Sequence, residues 1–294
     1  MSDPNWLAEQ FEENRGHLRG VAYRMLGSLS EADDAVQESW LRLSRSDADS
    51  VENLRGWLTT VVARICLDML RSRKSRREEA LEATAPEPTG KPAHAADPEA
   101  EAMLADSVGY ATLVVLDRLN PAERIAFVLH DLFNIPFEEI ARITGRTPEA
   151  ARQLASRARR RVRGVTTLPE IEFEQQRSLV EKFLAALRAG DSLKLVELLD
   201  PEFAVHADAE AAPGAVPTGI RGAEAWAKQA IRAARGARMA LPAMVEGSVG
   251  LIVAPKGRLF RVLQFTFANG RIAGMEVIGD PQRLRTIEVG ALSR

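Results

Sequence analysis

Residues 136–163 carry the pattern of two short helices joined by a tight turn, and this pattern constrains the fold more than any other stretch does. Gly145 suits the left-handed residue that closes a helix. Thr147 is placed to cap the second helix, and Pro148 occupies its first position, where the missing N–H does no harm. The pattern predicts a helix-turn-helix, in which the second helix enters the major groove of DNA.

The second helix carries hydrogen-bonding side chains near its start and arginines toward its end. The former suit base edges, and the latter suit phosphates. A solvated arginine-rich helix without a partner is the alternative interpretation, but the turn, the cap and the asymmetric placement of charge favour DNA. The DNA-binding residues predicted in this segment are Arg146, Thr147, Arg152, Gln153, Ser156, Arg157 and Arg160.

Another helix is predicted to precede this motif, beginning at Asn120 and Pro121, with Glu123 three residues after the cap. Its apolar residues recur at helical spacing and are therefore expected to face a core. The inward-facing residues predicted for this helix are Ile125, Val128, Leu129, Leu132 and Phe133.

The composition allows several domains and excludes some kinds of site. A chain of 294 residues is long enough for two or three domains, and its formal net charge of −2 conceals separate basic and acidic segments. The lone Cys66 excludes an internal disulfide and a cysteine-based zinc site, and we expect no metal site and no cofactor. No apolar run approaches the roughly 20 residues of a membrane span, so a soluble, cytoplasmic protein without membrane contact is expected.

The first ninety residues predict an all-α domain. One helix has an apolar stripe from Leu18 to Leu26 and ends at Gly27. Ser30 is the predicted cap of a second helix, with Asp33 placed to complete a capping box. The polar face of this second helix is acidic with one leucine, which suits docking of a basic partner and plain solvation equally well.

A third helix begins near Leu54 and runs directly into a basic segment at 71–77. Cys66 lies in its apolar pattern and is expected to be a buried structural thiol. A helix that ends in a cationic tail indicates a second phosphate-binding element. The residues of this tail that we predict to bind nucleic acid are Arg71, Arg73, Lys74, Arg76 and Arg77.

Two long blocks of the sequence resemble the extracytoplasmic-function (ECF) sigma factors. GVAYRMLGSLSEADDAVQESWLRL at 20–43, followed by the block at 53–77, looks like their promoter-melting domain, and residues 120–162 resemble their −35-reading domain. The resemblance implies binding to core RNA polymerase through its β′ clamp helices and β flap, and to the −10 and −35 elements of promoter DNA. Arg64 and the residues after it would meet the −10 strand. By position, the polymerase-binding residues would be Asp34, Gln37, Glu38 and Leu41.

The remainder of the chain predicts a linker and an additional domain. Residues 79–106 are rich in Ala, Pro and Glu, which predicts a flexible acidic tether. Residues 170–294 show helices first and then strand-like runs, with a hairpin turn at Asn269-Gly270, so we predict an α+β domain with a curved antiparallel sheet. The predicted domains are thus 1–78 and 107–165, both helical, and 170–294.

The additional domain resembles the SnoaL-like, nuclear-transport-factor-2-like cone fold. ECF sigma factors with this appendage form a SigJ-like subgroup, and the resemblance implies that the tail regulates the factor in cis, in place of a separate anti-sigma partner. We therefore expect an intramolecular contact of the cone domain with the sigma domains or their linker. The fold class expected for the whole chain is multidomain, with two all-α sigma domains and one α+β cone domain.

His206 and Asp208 are the candidate polar pair of the cone domain. They alternate at the end of its first predicted strand and therefore share one face. An acid/base pair is conceivable, but the domain contains no second histidine and no nucleophile motif. We therefore predict a structural or contact role for the pair and no catalytic residue.

Three functions fit parts of this pattern. The leading hypothesis is a promoter-specificity subunit that works with core RNA polymerase. The alternative is a ligand-sensing regulator in which the cone domain binds a metabolite and the helix-turn-helix binds an operator without polymerase. A cone-fold isomerase or hydrolase would need a catalytic constellation that the sequence lacks. The acidic helix containing DDAVQESW favours the first hypothesis, because a regulator that acts alone has no need for it.

Overall fold

The chain folds into two compact units. The computed structural model describes residues 4–46, 53–82, 110–164, 166, 168–211 and 219–292. The first unit comprises the described residues of Met1–Gly109 and Leu116–Arg159, and the second comprises those of Tyr110–Val115 and Arg160–Arg294. Most of the predicted 79–106 linker lies outside the described residues. Within the described part, no helix has the length and apolar character needed to cross a membrane.

Three helices begin the first unit: α1 (Pro4–Leu26), α2 (Leu29–Leu43) and α3 (Leu54–Glu82). The predicted stripe of α1 is buried from Leu18 to Leu26, and Gly27 ends the helix with a φ of 74°. Ser28 caps α2, since its Oγ accepts the Glu31 N–H at 3.5 Å. The prediction that Ser30 is the cap is wrong because the helix begins at Leu29, whose buried side chain belongs to the core.

Further along the described chain lie α4 (Tyr110–Asp117), α5 (Pro121–Phe127), α6 (Phe137–Thr144) and α7 (Pro148–Arg163). The Asn120 side chain caps α5 by accepting the Glu123 N–H at 2.9 Å, as predicted. A π-helical turn, Val128–Leu132, continues α5. Because a π turn holds more residues than an α turn, side chains after it shift around the axis. Leu132 is therefore exposed, contrary to the prediction, whereas Val128 and Leu129 are fully buried.

The second unit is an α+β domain, as predicted. Its helices are α8 (Glu170–Ala189), α9 (Ser192–Leu198), α10 (Ala223–Ala233) and α11 (Pro281–Thr286). Its strands are β1 (Leu199–Ala207), β2 (Ile220–Arg221), β3 (Ala240–Val245), β4 (Ser248–Val253), β5 (Arg261–Ala268), β6 (Arg271–Ile278) and β7 (Val289–Gly290). Asn269 and Gly270 both have positive φ and form the predicted hairpin turn between β5 and β6.

The seven strands form one sheet in the order β2-β1-β6-β5-β4-β3-β7. The expectation of a purely antiparallel sheet is wrong at one pair, because β1 lies parallel to β6. These two strands are far apart in sequence, so the long connection between them leaves their relative direction free. Helices α8 and α10 pack against the sheet, and an aromatic cluster lies in that core. Its rings belong to Phe183, Phe203, Trp226 and Phe265, with centroids 5.2–5.6 Å apart.

Candidate nucleic-acid interface

The helix-turn-helix has the predicted geometry. Gly145 ends α6 with a φ of 68°, and the Arg146 N–H donates to the Ala141 carbonyl at 2.9 Å. The Thr147 hydroxyl caps α7 by accepting the Ala150 N–H at 3.2 Å. These local bonds satisfy backbone groups that the two helix ends would otherwise leave without partners. They fix the point from which α7 starts.

Helix α7 has one buried face and one exposed face. Its small and apolar residues pack inward; they are Ala151, Leu154, Ala155, Ala158 and Val162. The residues predicted to bind DNA are exposed; they are Arg146, Thr147, Arg152, Gln153, Ser156, Arg157 and Arg160. Because packing of the buried face holds the helix, the exposed face presents a fixed array of donors.

Helix α3 carries the second group of residues that the sequence predicts to bind DNA. Arg71, Lys74 and Arg76 are exposed, and the Arg77 side chain lies outside the described part of the chain. Arg64, one of the residues assigned to the −10 strand, donates through Nη2 to the Arg142 carbonyl of α6 at 3.3 Å. Part of this predicted DNA surface therefore contacts the helix-turn-helix.

Arg73 is bound inside the first unit. Its guanidinium forms an ion pair with Glu31 of α2 and donates to the Leu26 carbonyl at 3.3 Å. Its Nη1 also lies 4.0 Å from Asp117 Oδ1, at the end of α4. Arg73 is therefore not one of the exposed cations of the tail.

Arg124 of α5 completes this network, and its side chain is only 2% exposed. Its Nη1 donates to Asp117 Oδ1 at 3.2 Å, while Nε and Nη2 have no hydrogen-bond partner among the described residues. Burial lowers the pKa of Arg124, and the Asp117 charge opposes that effect. A Cβ at Gly27 would lie 3.3 Å from Arg124 Nη2, so this guanidinium reaches the turn between α1 and α2.

The sequence interpretation missed this network of Glu31, Arg73, Asp117 and Arg124. One signal was present: Arg124 precedes Val128 by four residues, which places it on the apolar side of the helix. An arginine in that position needs a buried anion. Asp117 lies only seven residues away, but the apolar period of α5 does not show that the turn before this helix brings the two side chains together.

The predicted polymerase-binding face lies on the outside of α2. Asp34 and Gln37 are exposed, and Leu41 is 39% exposed. Glu38 forms an ion pair with Arg42 at 2.9 Å. The opposite side of the helix is buried through Ala32, Ala35, Val36 and Leu43. The four predicted residues are thus available to a partner.

His206 and Asp208 of the cone domain do not form an acid/base site. His206 is exposed. Asp208 accepts backbone N–H bonds from Ala211 at 2.8 Å, Gly279 at 2.9 Å and Asp280 at 2.9 Å. Burial alone would raise the pKa of Asp208, but these bonds and the nearby Arg283 outweigh it, so that the pKa is lowered. The carboxylate is a structural acceptor that holds two loops together.

The described residues contain no cluster of His, Cys, Asp and Glu suited to a metal ion. Cys66 is fully buried, and burial raises the pKa of its thiol to about 12. The thiolate is the reactive form of cysteine, so this side chain is an inert part of the α3 packing.

Known families match both helical segments. Residues 10–76 match Sigma-70 region 2, and residues 111–162 match Sigma-70, region 4. The chain is 39% identical over 264 residues to the ECF RNA polymerase sigma factor SigJ of Mycobacterium tuberculosis (strain ATCC 25618 / H37Rv), covering 90% of this chain and 78% of SigJ. It is 32% identical over 166 residues to the ECF RNA polymerase sigma factor SigE of Mycolicibacterium smegmatis, covering 54% of this chain and 61% of SigE.

The crystal structure of the M. tuberculosis SigJ aligns with a TM-score of 0.45 at 32% identity, over 94% of this chain and 98% of that one. The two helical segments define a chain of the sigma-70 class. The chain belongs to the ECF RNA polymerase sigma factors, in the SigJ-like subgroup with a carboxy-terminal cone domain. The match to SigJ covers 264 residues, which is longer than the segments 10–76 and 111–162 together with the chain between them. The similarity therefore extends into the cone domain.

Removal of the Asp117 charge tests the network around Arg124. We expect Asp117→Asn to lower the free energy of unfolding of the full chain by about 3 kcal/mol, because the buried guanidinium loses its closest anion. The matched control is Asp68→Asn, which breaks an exposed pair with Arg71 on α3 and should cost under about 1 kcal/mol. Urea unfolding followed by circular dichroism measures both changes. Equal costs would contradict a special role for Asp117.

The structural role of Asp208 predicts a pH dependence. Asp208→Asn should lower the stability of the cone domain by roughly 1.5–3 kcal/mol at neutral pH, because charge-assisted bonds to backbone N–H groups are lost. Since the folded pKa is lowered, the wild-type advantage is present above the unfolded pKa of about 3.9 and disappears as the pH falls through the folded pKa. Thermal unfolding between pH 7 and pH 3 measures this difference. His206→Ala is the control, and a larger loss from it would contradict the assignment.

Proposed function

We propose that this chain directs core RNA polymerase to specific promoters, with region 2 contacting core enzyme and the −10 element and region 4 reading the −35 element. The exposed face of α7 carries this proposal, because it presents Arg152, Gln153, Ser156 and Arg157 on a helix capped and packed from behind. Arg152 and Gln153 suit bidentate contacts with bases, and Arg160 suits a phosphate. This function takes place in the cytoplasm, with the chromosome.

The outer face of α2 is the proposed site for the β′ clamp helices. Asp34 and Glu38 supply negative charge, Gln37 supplies a neutral hydrogen-bonding group, and Leu41 supplies exposed apolar area. Such a combination suits a basic helical partner with one apolar contact. A helix-turn-helix regulator that acts without polymerase has no use for this face. Contact of region 4 with the β flap rests on the family resemblance.

Arg71, Lys74 and Arg76 are the proposed phosphate contacts of α3, because they are exposed along its cationic tail. Arg64 is also proposed to reach the −10 strand, and Arg77 is proposed from its place in the same segment. Arg73 is also proposed to contact DNA, but it differs from these residues because its guanidinium already binds Glu31 and the Leu26 carbonyl.

The cone domain is proposed to regulate the factor in cis through the end of the recognition helix. The Ala291 N–H, just after β7, donates to the Val162 carbonyl in the last turn of α7 at 2.6 Å. A Cβ on Gly290 would lie 2.4 Å from the Gly164 Cα, so the two glycines allow a close approach of the backbones. The Thr166 hydroxyl also donates to the Gly247 carbonyl at 3.0 Å. These contacts form a clamp between α7 and the sheet.

We propose no enzymatic role for the cone domain. The carboxylate of its candidate pair is occupied by three backbone N–H donors, and its core is filled by aromatic rings. A general acid or base needs a carboxyl or imidazole that reaches a substrate. The Asp208 geometry supports loop attachment instead.

A variant of the α2 face tests the proposed function in reconstituted transcription. The double change Gln37→Ala and Glu38→Lys should abolish binding to core polymerase, because it places a positive charge where a basic partner docks. Helical content and melting temperature should stay at wild-type values, since both side chains lie outside the core. Co-purification with core polymerase and initiation from a promoter measure the outcome. A variant that still binds core at wild-type stoichiometry would show that this face is not the docking site.

A second variant tests regulation through the clamp. Gly290→Ala in the full chain places a methyl group against Gly164, so it should loosen the clamp and change promoter output, with an increase expected. Leu193→Ala, at a residue of α9 that is 77% exposed, is the control for an unrelated change in the same domain. Transcription across a titration of core polymerase measures output. Identical curves for wild type and Gly290→Ala would remove the support for cis regulation by this contact.

A further inference from the structure

Phe137 lies between two side chains of the helix-turn-helix unit. It is the first residue of α6, and its ring is half-buried. The His130 ring stacks on it, with centroids 3.9 Å apart and an interplanar angle of 29°. The guanidinium carbon of Arg152 lies over the same ring, 5.1 Å from its centroid. The recognition helix therefore rests one of its exposed arginines on an aromatic side chain of the preceding helix.

The backbone around His130 is fixed by local hydrogen bonds. His130 Nδ1 donates to the Ile135 carbonyl at 3.1 Å. The Ile135 N–H in turn donates to the Leu129 carbonyl at 2.9 Å. Between them, Asn134 adopts a φ of 55°, a left-handed conformation that Asn tolerates better than most residues do. The His130 ring is thus anchored to the turn before α6, and it supports one side of the Phe137 ring.

We propose that Phe137 is a positioning residue that holds the Arg152 guanidinium ready for base recognition. This inference rests on the proposed role of Arg152 in reading the −35 element. A long arginine side chain loses rotamer freedom when it binds, and a cation–π contact restricts that freedom beforehand. A guanidinium lying over a ring keeps its in-plane N–H groups available. Those groups form the bidentate bond to guanine O6 and N7.

The experiment uses holoenzyme made from core polymerase and full-length chain. Each holoenzyme selects DNA from a promoter pool with a randomised −35 element, and sequencing gives the base preference at every position. The variants are Arg152→Ala, Phe137→Leu, which keeps an apolar side chain, and Phe137→Tyr, which keeps the ring face. Phe133→Leu is the matched control, because Phe133 also carries an arginine over its ring, but that residue is Arg24 of α1, at 5.3 Å.

Arg152→Ala is expected to reduce the preference at one position by about tenfold. Phe137→Leu should reduce the preference at that same position by about two- to fivefold, the range of an exposed cation–π contact. Other positions and the salt dependence of binding should stay unchanged, because no phosphate contact is lost. Phe137→Tyr should retain wild-type preference, and Phe133→Leu should leave that position unchanged. Thermal unfolding confirms that every variant is folded.

The outcomes separate this inference from the function on which it rests. If Arg152→Ala lowers the preference and Phe137→Leu does not, the positioning role is overturned. A loss from Phe137→Leu that is equal at all positions also overturns it, since that result indicates a general packing role. If Arg152→Ala has no effect on base preference, the assigned role of Arg152 and the positioning role both fail. A wild-type holoenzyme that selects no −35 sequence contradicts the proposed function itself.

Discussion

The buried charge of Arg124 is the constraint on which the helices of the first unit depend. An arginine that is 2% exposed needs an anion within reach, and Asp117 supplies it from the end of α4. Arg73 of α3 lies near Asp117 and forms an ion pair with Glu31 of α2, so the network of opposite charges includes both of these helices. Loss of one partner of such a pair is costly, because the other charge stays buried without compensation. In this chain the arrangement joins helices from two segments that match separate sigma regions.

This packing uses side chains that the family resemblance assigns to DNA. Arg64 donates to a carbonyl of α6, and Arg73 donates to Glu31 and Leu26. A guanidinium has five N–H donors in a rigid plane, so a phosphate would compete with these partners for the same groups. Contact of Arg73 with DNA stays a prediction, and a phosphate would have to share its guanidinium with Glu31 and the Leu26 carbonyl. Arg71, Lys74 and Arg76 differ from Arg73 in that their side chains are exposed.

The features that could be predicted from the sequence are those set by nearby residues. Gly145 and Thr147 determine the turn before α7 through bonds that span three to five positions, and the apolar period determines which face of α7 is buried. The parallel pairing of β1 with β6 and the pairing of Arg124 with Asp117 depend on chain reversals that periodicity does not encode. The prediction that Leu132 faces the core is wrong because a π turn breaks the 3.6-residue period. Asp208 accepts N–H bonds from Gly279 and Asp280, partners that are far away in the sequence and that its local pattern does not indicate.

The chain passes from the first compact unit to the second within the recognition helix. The last turn of this helix belongs to the same compact unit as the sheet, while its first three turns belong to the other. Within the second unit, the Ala291 N–H donates to the Val162 carbonyl, and Gly290 lies against Gly164. These contacts are the basis of the cis regulation proposed above, whereas a flexible tether alone would supply only a high effective concentration.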